Sequence, residues 1–241
     1  MTIVIFGGTG GIGAQLARRL HASGETLHLV ARTEARLAEL SSELSATFSV
    51  ADVTDEGAIQ RAALEAGPAL SGLAYCVGSI NLKPLKRLTA EDFLSDFRIN
   101  TLGAALAVKA CLPALTADSG TPSSVVLFSS IAASQGFSAH ASIGTAKAGL
   151  EGLMLALAAE LAPRVRVNCV APSLTRTELA RSLTSSQNLA TAIAEAHAIP
   201  RLGEADDSAA MAAFLLSRDA GWITGQVIGV DGGRSTLRTK G

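Results

Sequence analysis

Near its start the chain reads Ile3-Val4-Ile5-Phe6-Gly7-Gly8-Thr9-Gly10-Gly11-Ile12-Gly13, an apolar run that passes through five glycines into the helix-forming residues 14–20. A phosphate can approach a backbone closely only where no Cβ intervenes. The free N–H groups and positive dipole end of a following helix then attract its charge. Strand, turn and helix stand here in the order that a nucleotide diphosphate site requires, whereas a glycine-rich turn alone would also serve as a flexible loop. Two registers are open: Gly7, Gly11 and Gly13, or Gly8, Gly10 and Gly13.

Outward from this turn, runs rich in β-branched and apolar residues recur at 2–6, 26–31, 47–50, 73–77, 124–129, 164–170 and 226–230. Helical patterns fill most gaps between them. Such alternation predicts a doubly wound parallel α/β sheet of about seven strands with helices on both faces, because each parallel crossover needs a dozen or more residues. At 241 residues the chain can bury one large core, and residues 1–241 are expected to form a single domain without a linker. Ligands in such sheets bind beyond the carboxyl ends of the strands, where strand order reverses. Residues 173–203 break the alternation: they are polar and interrupted, with a weak helix near 187–197. They are expected to cover a substrate, a surface excursion without function being the alternative. The basic, polar residues 234–241 are expected to be a disordered tail.

Composition narrows the function classes. A net charge of -1 with 17% charged residues provides no basic face for a nucleic-acid partner. Hydrophobic residues reach 48%, but Lys109, Pro113, Glu151 and Glu160 interrupt the most apolar helical stretches, so no membrane span is expected. The chain starts in a strand, without a basic region or cleavage site, so a cytoplasmic protein is expected. Cys76, Cys111 and Cys169 are odd in number and far apart, and His21, His28, His140 and His197 are equally scattered. Buried thiols in a reducing compartment are expected, and no metal.

Arg32 follows the second strand in Leu29-Val30-Ala31-Arg32, where a carboxylate would bind the adenosine ribose of NAD. A guanidinium there instead offers the extra phosphate of NADP a charge-assisted contact, which makes NADP the expected cofactor and NAD the less favoured one. The bland reading of Arg32 is a solvated arginine at a helix start. After the third strand, Ala51-Asp52-Val53 places a carboxylate where it could accept from the adenine amino group, with Val53 beside it. Asp52 could equally cap the helix that begins near Asp55.

From residue 2 to about 233 the chain resembles the short-chain dehydrogenase/reductase family, which implies a Rossmann-type fold and NAD(P) binding. The glycine turn looks like the family's Thr-Gly-x-x-x-Gly-x-Gly with Phe6 replacing the threonine, which implies cofactor contacts for Gly7, Gly11, Ile12 and Gly13. Tyr75-Cys76-Val77-Gly78 stands where members carry Asn-Asn-Ala-Gly, leaving only Gly78 of that motif. Asn100, in Arg98-Ile99-Asn100-Thr101, matches the asparagine that in the family bends a helix and holds a water. Val125-Val126-Leu127-Phe128-Ser129-Ser130 matches the strand that delivers the catalytic serine, here Ser130. Arg166-Val167-Asn168-Cys169-Val170-Ala171-Pro172-Ser173 looks like the segment that flanks the nicotinamide, with Pro172 in place and Thr177 where a threonine contacts the carboxamide. Ile223-Thr224-Gly225-Gln226 and Val230-Asp231-Gly232-Gly233 repeat the family's closing pattern.

The departure lies in the family's Tyr-x-x-x-Lys motif. Lys147 is present, and Ser130 sits thirteen residues before position 143, the family's spacing, but position 143 is isoleucine. The single tyrosine, Tyr75, is on another strand. In the family, hydride transfer to a carbonyl is completed by a proton from tyrosine, while serine holds the oxygen and lysine binds the nicotinamide ribose. A phenol titrates near about pH 10 and needs the lysine ammonium to lower it. Ile143 has no proton to give. General acid–base help is worth about 10²- to 10⁴-fold, so ordinary ketone reduction is expected to suffer. His140 lies seven residues before Lys147, nearly two helical turns, the spacing at which the enoyl-acyl-carrier-protein reductases within this family carry tyrosine. An imidazole titrates at about pH 6.5 and needs little tuning to act as an acid. A solvated residue at a helix start is the bland alternative for His140. Ser142 and Thr145 are hydroxyl alternatives whose acidity suits the task poorly.

Two function classes follow. The first is an NADP-dependent oxidoreductase acting on a small organic substrate, a carbonyl, imine or activated double bond, through Ser130, Lys147, Asn100 and a relocated acid such as His140. The second is a nucleotide-binding protein that has lost its chemistry and serves a regulatory or structural role. A nucleophilic hydrolase ranks below both, since no Gly-x-Ser-x-Gly occurs. Helices expected at 101–115 and 145–161 carry more apolar breadth than one sheet face needs, and family members pair these helices, so a homodimer or homotetramer is expected. The substrate pocket is expected from 79–88, 134–139 and 173–203.

Overall fold

Ile3, Val4, Ile5 and Phe6 are all buried although strand side chains alternate between faces, so the first strand must be covered on both sides. The computed structural model, which describes residues 1–117 and 120–238, bears this out. Seven parallel strands form one sheet: β1 (Thr2–Phe6), β2 (Thr26–Ala31), β3 (Thr47–Val50), β4 (Leu70–Tyr75), β5 (Ser123–Phe128), β6 (Val165–Pro172) and β9 (Val227–Val230). Their order is β3-β2-β1-β4-β5-β6-β9. Two further strands, β7 (Thr175–Arg176) and β8 (Gly203–Glu204), pair with each other outside the sheet. The chain winds from β1 outward to β3, then crosses back to β4 on the other side of β1. The reversal opens a crevice above the carboxyl ends of β1 and β4.

Alternation within each strand sorts the core into two layers. Val4, Phe6, Leu73, Tyr75, Val125 and Leu127 face α3 (Glu56–Glu65), α5 (Gly103–Leu115) and α6 (Ala141–Leu161). Ile3, Ile5, Leu29, Ala74, Val126 and Phe128 face α1 (Gly11–Ala22), α2 (Glu34–Leu44) and α9 (Ala205–Leu216). Both layers are mostly aliphatic, which is why these strands read as continuous apolar runs. No helix among the described residues is long and apolar enough to cross a membrane.

Several boundaries differ from expectation. β4 starts at Leu70, three residues early, because Leu70 and Gly72 already pair with Thr2 and Ile3, and Gly72 packs against Leu216, where a Cβ would come within 2.9 Å of the leucine side chain. β6 runs on to Pro172 because Ala171 and Pro172 still pair with Gly229 and Val230. The helix expected at 101–115 begins inside a π-helical turn (Arg98–Leu102), which joins a preceding helix, α4 (Ala90–Phe97), to α5. The helix expected from 145 begins at Ala141, with His140 as its cap residue. Within 173–203 the structure places β7, α7 (Arg181–Thr184) and α8 (Gln187–Glu195). The disordered tail expected at 234–241 is corrected for residues 234–238. Asp231 accepts from the N–H groups of Gly233 and Ser235, and the Leu237 N–H bonds the Gly233 carbonyl, so this stretch turns back onto the fold. Residues 239–241 lie outside the described residues.

Candidate active site

The glycine turn is built by steric necessity. Gly7 holds φ at +78°, and a Cβ on it would stand 2.9 Å from the Cys76 carbonyl carbon. A Cβ on Gly13 would strike the Gly7 carbonyl oxygen, and one on Gly11 would sit 2.8 Å from the Thr177 methyl. The tight positions are thus Gly7, Gly11 and Gly13, the first of the two registers. Gly10 precedes α1 and no side chain caps the helix, whose first turn also lacks acidic residues. Its N–H groups face a cavity of about 430 Å³ lined by Gly7, Gly11, Ile12, Arg32, Asp52, Val53, Gly78 and Thr177. A cradle that side chains would fill, a bare helix start and a cationic far wall together fit a dinucleotide.

Arg32 is exposed, and its guanidinium lies 3.9 Å from the Asp52 carboxylate. Arg36, which the sequence reading missed, lines the same cavity one helical turn further on. Asp52 does not cap α3: that position belongs to Asp55, which accepts from the Ala58 N–H at 3.1 Å. Asp52 instead accepts from the backbone and hydroxyl of Thr54, at 2.8 and 2.7 Å, and these bonds hold it below the usual carboxylate range.

A second cavity, of about 300 Å³, adjoins the first and shares Ile12, Cys76, Val77, Gly78, Thr177 and Leu179 with it. Ser130, His140, Ile143, Lys147, Pro172 and Ser173 all line this second space. Ser130 leaves the end of β5 and accepts from the Ala132 N–H at 3.2 Å. Lys147 is buried on α6 and donates to the Phe128 carbonyl at 2.7 Å. Burial pulls its ammonium down to about 8, against the opposing pull of nearby groups including Asp96. His140 donates from Nδ1 to the Ser138 carbonyl at 2.7 Å, since a carbonyl only accepts, and its ring packs on Phe137 at 5.4 Å between centroids. Ala139, just before it, holds φ at +63°, a conformation that non-glycine residues seldom adopt. Tyr75 is fully buried in β4, and its hydroxyl donates to the Ile99 carbonyl at 2.6 Å.

Asn100 sits inside the π-helical turn and belongs to a polar network that the sequence reading did not find. Its amide donates to Ser79 Oγ at 2.8 Å and to the Asp96 carbonyl at 2.9 Å. Ser79 and Ser142 in turn each donate to the buried Asp96 carboxylate at 2.6 Å. His197 is buried too. It donates from Nδ1 to the Ile193 carbonyl and accepts at Nε2 from the Ser173 hydroxyl at 2.8 Å, fastening the segment after β6 to the end of α8. Spacing along the chain gave no sign of either pairing, because each joins residues from segments far apart in the chain.

Comparison with known proteins follows this geometry. A family model described as enoyl-(acyl carrier protein) reductase matches residues 7–235. The human dehydrogenase/reductase SDR family member 4 is 36% identical over 238 residues, covering 93% of this chain and 84% of that protein. A short-chain type dehydrogenase/reductase from Mycobacterium ulcerans superposes with a TM-score of 0.92 at 34% identity, covering 98% of this chain and 90% of the other. Levodione reductase gives a TM-score of 0.92 at 26% identity, with 98% of each chain covered. Matches of this extent, over the glycine turn, the serine strand and the lysine helix alike, mean that the chain belongs to the short-chain dehydrogenase/reductase family of oxidoreductases.

Proposed function

We propose that the protein is an NADP-dependent oxidoreductase that moves a hydride to or from a small carbonyl, imine or activated double bond, with a proton donor other than tyrosine. The observation that carries this reading is the continuity of the two cavities: the glycine turn and Arg32 line one, Ser130, His140 and Lys147 line the next, and Gly78 and Thr177 belong to both. When bound, the nicotinamide cofactor supplies or accepts the hydride. Gly7, Gly11, Ile12 and Gly13 bring backbone N–H groups to its diphosphate. Arg32, steadied by Asp52 and joined by Arg36, meets the 2′-phosphate, while Asp52 and Val53 border the adenine. Lys147 binds the nicotinamide ribose, and Pro172 and Thr177 flank the ring. Ser130 holds the substrate oxygen, and residues 173–203 cover the substrate. Asn100 acts by fixing the π-helical turn beside Ser79. His140 donates from Nε2, because Nδ1 is already committed to Ser138.

A second reading, a cofactor-binding protein without turnover, draws on Ile143, whose buried aliphatic side chain occupies the position of the family's acid. Calorimetry and NADPH oxidation against ketones, imines and enoyl thioesters separate the two. The wild type is expected to bind NADPH more tightly than NADH, Arg32→Asp to reverse that order, and His140→Ala to lose at least about 100-fold in turnover with cofactor affinity retained. Binding without turnover of any class selects the second reading, and indifference to both dinucleotides removes both.

A further inference from the structure

The cavity beside Ser130 and Lys147 is walled by Ile80, Leu82, Leu174, Leu183 and Ile193, and no aspartate or glutamate lines it. Its charged members are two cations, Lys147 and Arg234. Lys147 donates to the Phe128 carbonyl and is assigned above to the nicotinamide ribose. Arg234 has no such partner: among the described residues its guanidinium has no carboxylate partner and no hydrogen bond, and it stacks on the face of Phe137, 5.2 Å from the ring centroid. Stacking occupies the flat face of a guanidinium and leaves its N–H edge open. Arginines elsewhere in the chain, such as Arg18 on Glu43 and Arg201 on Asp207, are paired through that edge. The backbone that carries Arg234 is fixed, since Asp231 grips the N–H groups on either side of it and Gly232 and Gly233 take positive φ.

We propose that Arg234 is a specificity-determining residue that receives a carboxylate on the substrate, so that the protein acts on apolar molecules bearing one carboxylate. This rests on the oxidoreductase reading above and narrows its substrate class. A cation held half-buried in a low-dielectric cleft without a counter-ion creates a positive potential, and a carboxylate satisfies its open edge with two parallel bonds. Burial already draws the Arg234 guanidinium below its ordinary range, which marks the missing partner as a cost that an anionic ligand would relieve. The aliphatic walls suit the remainder of such a molecule and offer little to a polyhydroxylated one.

The test titrates the NADPH-loaded protein with octanoate and with octanamide, which share a chain and differ in charge. Octanoate is expected to bind about 10- to 100-fold more tightly, the range of a charge-assisted pair. Arg234→Gln should erase the difference, and Arg234→Lys should keep part of it, with NADPH affinity unchanged in both. Equal binding of the two probes by the wild type, or a preference that survives Arg234→Gln, overturns the proposal. Equal binding by the wild type overturns the proposal even if a variant fails to fold. Failure to bind NADPH at all would instead count against the oxidoreductase reading.

Discussion

Lys147, proposed above to hold the nicotinamide ribose, is expected to weaken the fold that buries it. It is buried, neighbours the space near Gly78 and Asn100, and has its ammonium pulled down to about 8 by desolvation. The unfolded chain therefore binds more protons than the folded one between about pH 8 and the ordinary lysine range. The penalty is complete below that window and fades as pH rises through it. Lys147→Met removes the penalty but leaves the Phe128 carbonyl without its donor, a loss of about 1 kcal/mol. The net expectation is a Tm higher than wild type by a few degrees at pH 7, the gap closing by pH 10, while NADPH-dependent turnover is lost. Thermal melts across that range check it, and a variant less stable than wild type at pH 7 refutes it. Lys147, Ser130 and Asn100 were readable in the sequence because each stands in a stretch that resembles a motif of the family. Arg36, Ser79, Asp96 and Arg234 were not, because what matters about them is their neighbours, and those come from other segments.

At the level of elements, the stretch from Ala90 to Leu115 turns on a contact between a strand and a glycine. The hydrophobic period predicts a helix from 101 and carries no sign of a single inserted residue; only the resemblance at Asn100 implies a bend, and the chain forms a π-helical turn at Arg98–Leu102. Tyr75 reaches from β4 to the Ile99 carbonyl that this turn presents, and its hydroxyl fills the space where a Cβ on Gly103 would lie. Tyr75 thus has a structural task, which its solitary place in the composition did not disclose. Gly103→Ala must displace the hydroxyl from that carbonyl, and is expected to cost about 2–4 kcal/mol. In a Tyr75→Phe background the same substitution should cost at least about 1 kcal/mol less, because the colliding oxygen is gone. Urea unfolding of the four proteins in the cycle measures this coupling, and additive losses would show that the phenol and the glycine do not constrain each other. The early start of α6 has a comparable origin. Ser142 and Gly144 weaken local helix preference, but Ser142 is bonded to Asp96 and Gly144 lies against the Ala132 carbonyl, so packing from α4 and the turn after β5 carries the helix back to Ala141.

For the whole molecule, sheet topology was the most readable level: seven apolar runs separated by helices leave few arrangements, and the handedness of parallel crossovers removes most of those. Assembly is the level at which exposed apolar side chains matter. Leu94 and Phe97 on α4, Leu102 in the π-helical turn and Leu155 on α6 are all exposed. These three elements pack against one another, so their apolar side chains belong to one region of the surface. Members of this family are commonly oligomeric, and an apolar surface of this kind in an isolated chain calls for a partner. A second copy is the economical one, since a twofold axis lets a helix face meet its own equivalent and a stable contact needs only about 600–1,000 Å² from each chain. Replacing both Leu102 and Leu155 by glutamate sets like charges on that face in each copy. Sedimentation velocity is expected to show a dimer or tetramer for the wild type and a smaller species for Leu102→Glu/Leu155→Glu, with NADPH binding retained because neither leucine lines the cofactor cavity. A wild type that sediments as a single chain would leave the exposed leucines without this partner, and an unchanged oligomer in the double variant would move the interface to another face.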